Sequence, residues 1–120
     1  MVFVFGSNLA GRHGKGAALL ARQKYGAIYG QGEGRQGDSY ALPTKDEKLR
    51  TRSLEDIEVS IKTFFEYAWN TPEEVFLLTP IGCGLAGYKK SDIWPLLKRQ
   101  GVPHNVVLAN TWVNDYSEVH

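Results

Sequence analysis

Only one cysteine, Cys83, occurs in the 120 residues, so no internal disulfide can form and no cysteine-based zinc site can be built. The three histidines, His13, His104 and His120, have no metal-ligand spacing, and no metal or cofactor is expected. An excess of charge of one sign is missing too, because 14 Lys and Arg against 13 Asp and Glu leave a formal net charge of +1. Proteins that grip nucleic acid through its phosphates present a dense basic face, so nucleic acid is not the expected partner. No apolar run approaches membrane-spanning length, and the opening Met1-Val2-Phe3-Val4-Phe5-Gly6 is too short for the apolar core of a signal peptide. The expectation is a soluble, cytoplasmic protein with no membrane partner, formed by a single domain over residues 1–120. Nothing in the sequence sets its oligomeric state.

Glycine is absent from Asp38 to Ile81 but dense on either side. Nine of the 13 lie between Gly6 and Gly37, three more are Gly82, Gly84 and Gly87, and Gly101 stands alone. Random flexibility would spread them evenly, so the clusters point to backbone that turns tightly or lies close to a ligand.

The remaining pattern alternates strands with helices. Val2–Phe5 is a short apolar run that reads as a buried strand. Ala17–Tyr25 reads as a helix stopped by Gly26. Ser39–Pro43 reads as a strand. Ser53 is an N-cap three residues ahead of Asp56. Leu54, Ile57, Ile61, Phe64, Phe65 and Ala68 recur at helical spacing up to about Asn70. Val75–Thr79 is a second buried strand. Ser91-Asp92 is expected to cap a helix that carries Pro95 in its first turn and ends at Gly101. Asn105–Ala109 is the final strand. The order β-α-β-α-β-α-β favours a mostly parallel or mixed sheet with helices on both faces. Ligands of such sheets sit outside the carboxyl ends of the strands.

Two loops meet that description. The first, Gly6-Ser7-Asn8-Leu9-Ala10-Gly11-Arg12-His13-Gly14-Lys15-Gly16, leaves a strand, enters a helix and is longer than a plain connector needs to be. Helix N-termini bind anions through free N–H groups, glycines admit a phosphate to the backbone, and Arg12 and Lys15 add charge. The second, Pro80-Ile81-Gly82-Cys83-Gly84-Leu85-Ala86-Gly87-Tyr88, also follows a strand. The two together suit a diphosphate held between them. Tyr88 is either a ring-stacking residue or a half-buried packing residue. Cys83 lacks a base partner in the pattern and reads as a small structural thiol. His13 stands in the first loop, where exposure is its plain explanation.

Two motif matches fail on context. Gly32-Glu33-Gly34-Arg35-Gln36-Gly37 has dinucleotide-fingerprint spacing, but it precedes a strand instead of following one, and it reads as a mobile loop. His13-Gly14-Lys15-Gly16 lacks the first glycine and the Ser or Thr of a P-loop.

The two loops together resemble those of the macrodomain family. The likeness is closest to the branch that removes ADP-ribose from carboxylate side chains through a lysine. Arg12-His13-Gly14-Lys15-Gly16-Ala17 fits that branch's Arg-x-Gly-x-Gly helix entry, Leu42-Pro43-Thr44-Lys45 its Leu-x-Thr-Lys segment, and Ile81-Gly82-Cys83-Gly84-Leu85 its second phosphate loop. The resemblance implies a three-layer α/β/α sandwich that binds an ADP-ribose-type nucleotide. The expected ligand-binding set is Ser7, Asn8, Arg12, His13, Gly14, Lys15, Gly16 and Thr44, with Ile81 through Tyr88. Lys45 stands in the place of the catalytic lysine. Two features depart from the branch: its catalytic acid is replaced by Ala86, and the family's early Gly-Asp segment, which contacts adenine, has no counterpart. Three functions stay open in this order: a binder that reads or sequesters an ADP-ribose-type nucleotide, free or attached to protein; an ADP-ribosyl hydrolase acting through Lys45; and a structural domain whose glycines only make turns.

Overall fold

The computed structural model describes residues 1–112. The elements run β1 (Val2–Asn8), α1 (Gly16–Lys24), β2 (Gly34–Gln36), β3 (Ser39–Lys45), α2 (Leu54–Trp69), β4 (Phe76–Leu78), α3 (Lys90–Gln100) and β5 (Val106–Leu108). They form one mixed sheet in the order β2-β3-β1-β4-β5, parallel except where β2 runs against β3. From β1 the chain passes through α1 to β3 on one side, and α2 then carries it back across β1 to β4 on the other. The direction of winding therefore reverses between β1 and β4, which is where open α/β sheets place their ligands.

Alternation along β1 separates the two faces of the sheet. Val2 and Val4 join Tyr40, Leu42, Phe76, Leu78 and Val106 beneath α2 and α3. The helices contribute Ile57, Ile61, Phe64, Phe65 and Ala68 from α2, and Ile93, Leu96 and Leu97 from α3. Phe3 and Phe5 turn the other way, to Ala41 and to Ala18 and Ala21 of α1. The smaller face is closed by aromatic packing, with the Phe3 and Tyr25 rings stacked at 4.5 Å. This is the expected three-layer α/β/α arrangement.

Several boundaries differ from expectation for identifiable reasons. The glycine-rich Gly32–Gly37 segment contains an edge strand, β2, instead of being wholly loop. Its Gln36 side chain is buried, accepting from Ile28 N–H at 2.7 Å and donating to Gln31 O at 3.1 Å. Arg35 on the same strand pairs with Glu74 and donates to Tyr67 Oη at 3.1 Å. The last helix starts earlier than Ser91-Asp92. Lys89 is its N-cap, and Asp92 acts from the third position, accepting the Lys89 N–H at 2.9 Å. Pro95 therefore falls in the second turn, where its missing N–H removes one helical bond. By contrast, Ser53 caps α2 by accepting Asp56 N–H at 3.1 Å, and Gly101 ends α3 with φ at +78°.

Helices α2 and α3 are clamped to each other by Glu58. It receives Arg99 Nη2–H at 2.6 Å and Gln100 Nε2–H at 2.7 Å. Arg99 first, and Gln100 second, hold its carboxyl down at about 2. A depressed carboxylate contributes stability that is fully present above the ordinary Glu value of about 4.3 and is lost as pH falls towards the folded value. Glu58→Gln is therefore expected to lower the melting temperature by a few degrees at pH 7 (~0.5–1 kcal/mol for a partly exposed pair). The gap to wild type should close between pH 5 and pH 2. Thermal melts across that range check it, and a gap independent of pH would refute the assignment.

Candidate functional site

A cleft of about 540 Å³ opens at the carboxyl ends of β1, β3 and β4, at the point where the winding reverses. Its size is that of a small-molecule site. The floor is formed by Gly6, Ser7 and Asn8 from β1, Thr44 and Lys45 from β3, and Thr79 to Ile81 after β4. The first loop supplies Arg12, Gly14, Lys15 and Gly16, and the second supplies Gly82, Gly84, Leu85 and Ala86. Both glycine-rich loops thus face one space.

The start of the first loop belongs to the strand, since Gly6, Ser7 and Asn8 continue β1 and only the following residues turn away. Asn8 closes that turn on both sides. Its Oδ1 accepts Arg12 N–H at 2.9 Å and its Nδ2 donates to Arg12 O at 3.0 Å. Asn8 therefore sets the shape of the loop that carries Arg12. Ser7 Oγ donates to Gly32 O, which ties β1 to the segment ahead of β2. Helix α1 then begins with no side chain capping it and no acidic residue in its first turn. The N–H groups of a first turn have no helical partners, so this end offers donors and a positive dipole to an anion. Gly16 enters the helix at φ +58°, and a Cβ on it or on Gly14 would meet open space.

The second loop is tight. Tyr88 N–H donates to Gly82 O at 2.9 Å and Gly87 N–H to Gly84 O at 3.0 Å. Gly82 needs its left-handed φ of +76°, and a Cβ there would lie 3.1 Å from Ile93 Cδ1. The short segment after β3 is fastened to this loop. Thr51 Oγ1 donates to Ala86 O at 2.8 Å, Tyr88 Oη to Arg52 O at 2.7 Å, and Arg52 Nη1 to Pro43 O at 2.8 Å. The end of β3, which bears Lys45, is thereby fixed relative to the second loop.

The electrostatics of the cleft are one-sided. Arg12, Lys15 and Lys45 line it, and among the described lining residues there is no aspartate or glutamate. Asp46, next to Lys45, turns away: its Oδ1 accepts the N–H groups of Lys48 and Arg50, both at 2.9 Å. The Arg50 N–H, then the Lys48 N–H, hold its carboxyl below the ordinary value. A carboxylate so engaged is poorly suited to donating a proton to a leaving group.

Most of the residues expected at the site are brought together, and four are not on its wall. His13 is wholly buried instead of exposed, packing edge-on against Phe5 at 5.2 Å. Its Nε2 lies 2.9 Å from Gln31 O, and since a carbonyl only accepts, Nε2 carries the hydrogen. Tyr88 packs on the core beneath α2 and α3 with its hydroxyl engaged by Arg52, so the packing alternative describes it and not the ring-stacking one. Cys83 Sγ bonds to Ile81 O at 3.4 Å, and neither Cys83 nor Gly87 is on the cleft wall. Beyond the floor, the two loops and the start of α1, two further wall residues complete the cleft. Tyr29 follows α1, and Leu49 stands at φ +63° in the turn after Lys45. An exposed aromatic within the glycine-rich stretch was the available signal for Tyr29; Leu49 left none.

Much of the glycine cluster between Gly26 and Gly37 serves packing and not ligand approach. A Cβ on Gly32 would lie 2.3 Å from Asn8 O, one on Gly11 2.3 Å from the Gly30 carbonyl carbon, and one on Gly37 2.9 Å from Gly26 Cα. Gly11 and Gly32 let the segment before β2 lie directly on the first loop, and Gly37 lets the turn after β2 lie on the end of α1.

No family model and no curated protein matches the sequence. Among solved structures, the chain is similar to the macrodomain of Mycobacterium tuberculosis DarG, with a TM-score of 0.68 and 19% identity over 89% of this chain and 86% of that one. The α/β/α layering, the mixed five-stranded sheet and the cleft at its winding reversal agree with that likeness. This chain has the macrodomain fold.

Proposed function

We propose that the cleft binds ADP-ribose or a related NAD-derived nucleotide, with the diphosphate between the two glycine-rich loops, and that the protein acts as a reader or sequestering protein for it. One observation carries the reading: Arg12, Lys15 and Lys45 line the same cleft as the uncapped start of α1, with no carboxylate among the described lining residues. Such a site neutralises an anion and would repel a cation. A structural domain whose glycines only make turns would have no reason to gather three cations about an open cleft.

The test is titration with ADP-ribose, NAD and AMP, read by calorimetry and by melting temperature. A ligand that binds only the folded state stabilises it by about 2.7 kcal/mol at a hundredfold excess over Kd, a rise of about 10 °C for a chain this size. ADP-ribose is expected to give that rise. AMP, which lacks the diphosphate bridge, is expected to give less. No shift with millimolar ADP-ribose or NAD would end the proposal.

A second reading, hydrolysis of ADP-ribosylated carboxylates, is favoured by one observation: Lys45 lines the cleft at the end of β3, paired in register with Asn8. It lacks an acid. Ala86 occupies the position where the resembling branch has one, and Asp46 is committed to its own turn. Loss of one acid-base group removes about 10²–10⁴-fold in rate. Little release of ADP-ribose from a glutamate-modified protein is expected, with a gain in Ala86→Asp. Lys45→Ala is expected to weaken binding several-fold. Rapid wild-type turnover that vanishes in Lys45→Ala would make the protein an enzyme.

A further inference from the structure

Tyr29 is the one aromatic side chain on the described wall of the cleft, and it belongs to neither glycine-rich loop. Tyr29 is 54% exposed although its ring meets that of the wholly buried His13. The Arg22 guanidinium carbon lies over the ring at 5.0 Å from its centroid, and the His13 ring meets it at a steep 75° and 6.5 Å. With a cation on one face, the opposite face is the one left for the cleft.

The backbone that carries the ring is held firmly. Gly30 N–H donates to Gly11 O at 2.8 Å, Ile28 N–H to Gln36 Oε1 at 2.7 Å, and Gly11 and Gly30 touch backbone to backbone. The backbone that bears the ring is therefore held beside the first loop. The ring's chemistry also selects what it meets. The face of an aromatic ring carries negative partial charge, so it repels a phosphate and favours a planar, electron-poor or uncharged ring stacked on it. The guanidinium on its other face is attracted to the ring and helps to hold it in place.

We propose that Tyr29, backed by Arg22, is a stacking platform for a heteroaromatic ring of the ligand, so that the cleft selects nucleotides bearing such a ring over equally charged ringless phosphates. This inference rests on the nucleotide-binding reading above. Adenine and nicotinamide are both planar heteroaromatic rings, and the choice of probe separates them.

The experiment titrates wild type, Tyr29→Ala and Tyr29→Phe with ADP-ribose, NAD, ribose 5-phosphate and inorganic pyrophosphate. Base stacking on an aromatic residue, measured by alanine substitution, corresponds to about 5- to 100-fold in affinity. Tyr29→Ala is expected to lose that much for ADP-ribose, Tyr29→Phe to stay within about threefold of wild type, and both to hold pyrophosphate within about twofold. In Tyr29→Ala, wild-type affinity for ADP-ribose with a loss for NAD would assign the platform to the nicotinamide ring. Tyr29→Ala binding both ADP-ribose and NAD as wild type does would overturn the platform and leave the nucleotide reading standing. Equal losses for pyrophosphate and ADP-ribose would also overturn it, because the ring would then be supporting the first loop. Wild type that binds neither dinucleotide-type probe would overturn the reading beneath it, and the platform with it.

Discussion

Gly32→Ala is expected to lower the melting temperature by on the order of 10 °C. The added Cβ would lie 2.3 Å from Asn8 O, 2.8 Å from Leu9 Cα and 2.9 Å from Leu9 C. All three are backbone atoms at the end of β1, so no side chain can swing aside to make room. The strand end and the segment before β2 must separate instead, at a cost of about 3 kcal/mol or more. Separation also breaks the Ser7–Gly32 bond and strains the contact of His13 with Gln31 O. Both hold the first loop, so ADP-ribose affinity is expected to fall together with stability. Thermal melting checks the first effect and calorimetry the second. A variant that melts within about 2 °C of wild type would show that the two segments are not in contact.

Gly84→Val separates binding from folding. Gly84 faces the cleft, its φ lies outside the left-handed region, and a Cβ there would meet no atom within 4 Å. The substitution therefore fits the empty protein, and the melting temperature is expected to stay within about 2 °C of wild type. The isopropyl group fills the space beside the second loop that a phosphate would occupy, and it screens the loop's N–H groups. Losing two charge-assisted hydrogen bonds at about 1.5–3 kcal/mol each predicts at least a hundredfold loss of ADP-ribose affinity. Unchanged affinity in this variant would show that the second loop is not a phosphate cradle. The contrast with Gly32 comes from what stands next to each glycine, and the sequence presents the two residues alike.

The glycine clusters were the most informative letters in the chain, and their message was mixed. Gly14, Gly16, Gly82 and Gly84 do line one cleft, as their place between strand and helix implied. Gly11, Gly26, Gly32 and Gly37 instead permit backbone to lie on backbone, a role visible only once Gly30 is found against Gly11 and Asn8 against Gly32. Tyr88 and Tyr29 divide in the same way. Both are tyrosines beside glycines, yet one hydroxyl ends on Arg52 O while the other ring stands open in the cleft.

The sequence by itself determined the alternation of strands and helices, the Ser53 cap, the Gly101 stop and the placing of both loops at strand ends. Those features follow from local periodicity and capping chemistry, which act over a few neighbouring residues. The tertiary structure alone decided that β2 joins the sheet as an antiparallel edge, that His13 is buried, and that Tyr29 and Leu49 complete the cleft wall. Strand pairing, burial and the far side of a cleft depend on residues distant in sequence, such as Gln31 against His13 and Ala86 against Thr51. No local pattern encodes those meetings, because each exists only when the sheet has fixed the distance between its loops.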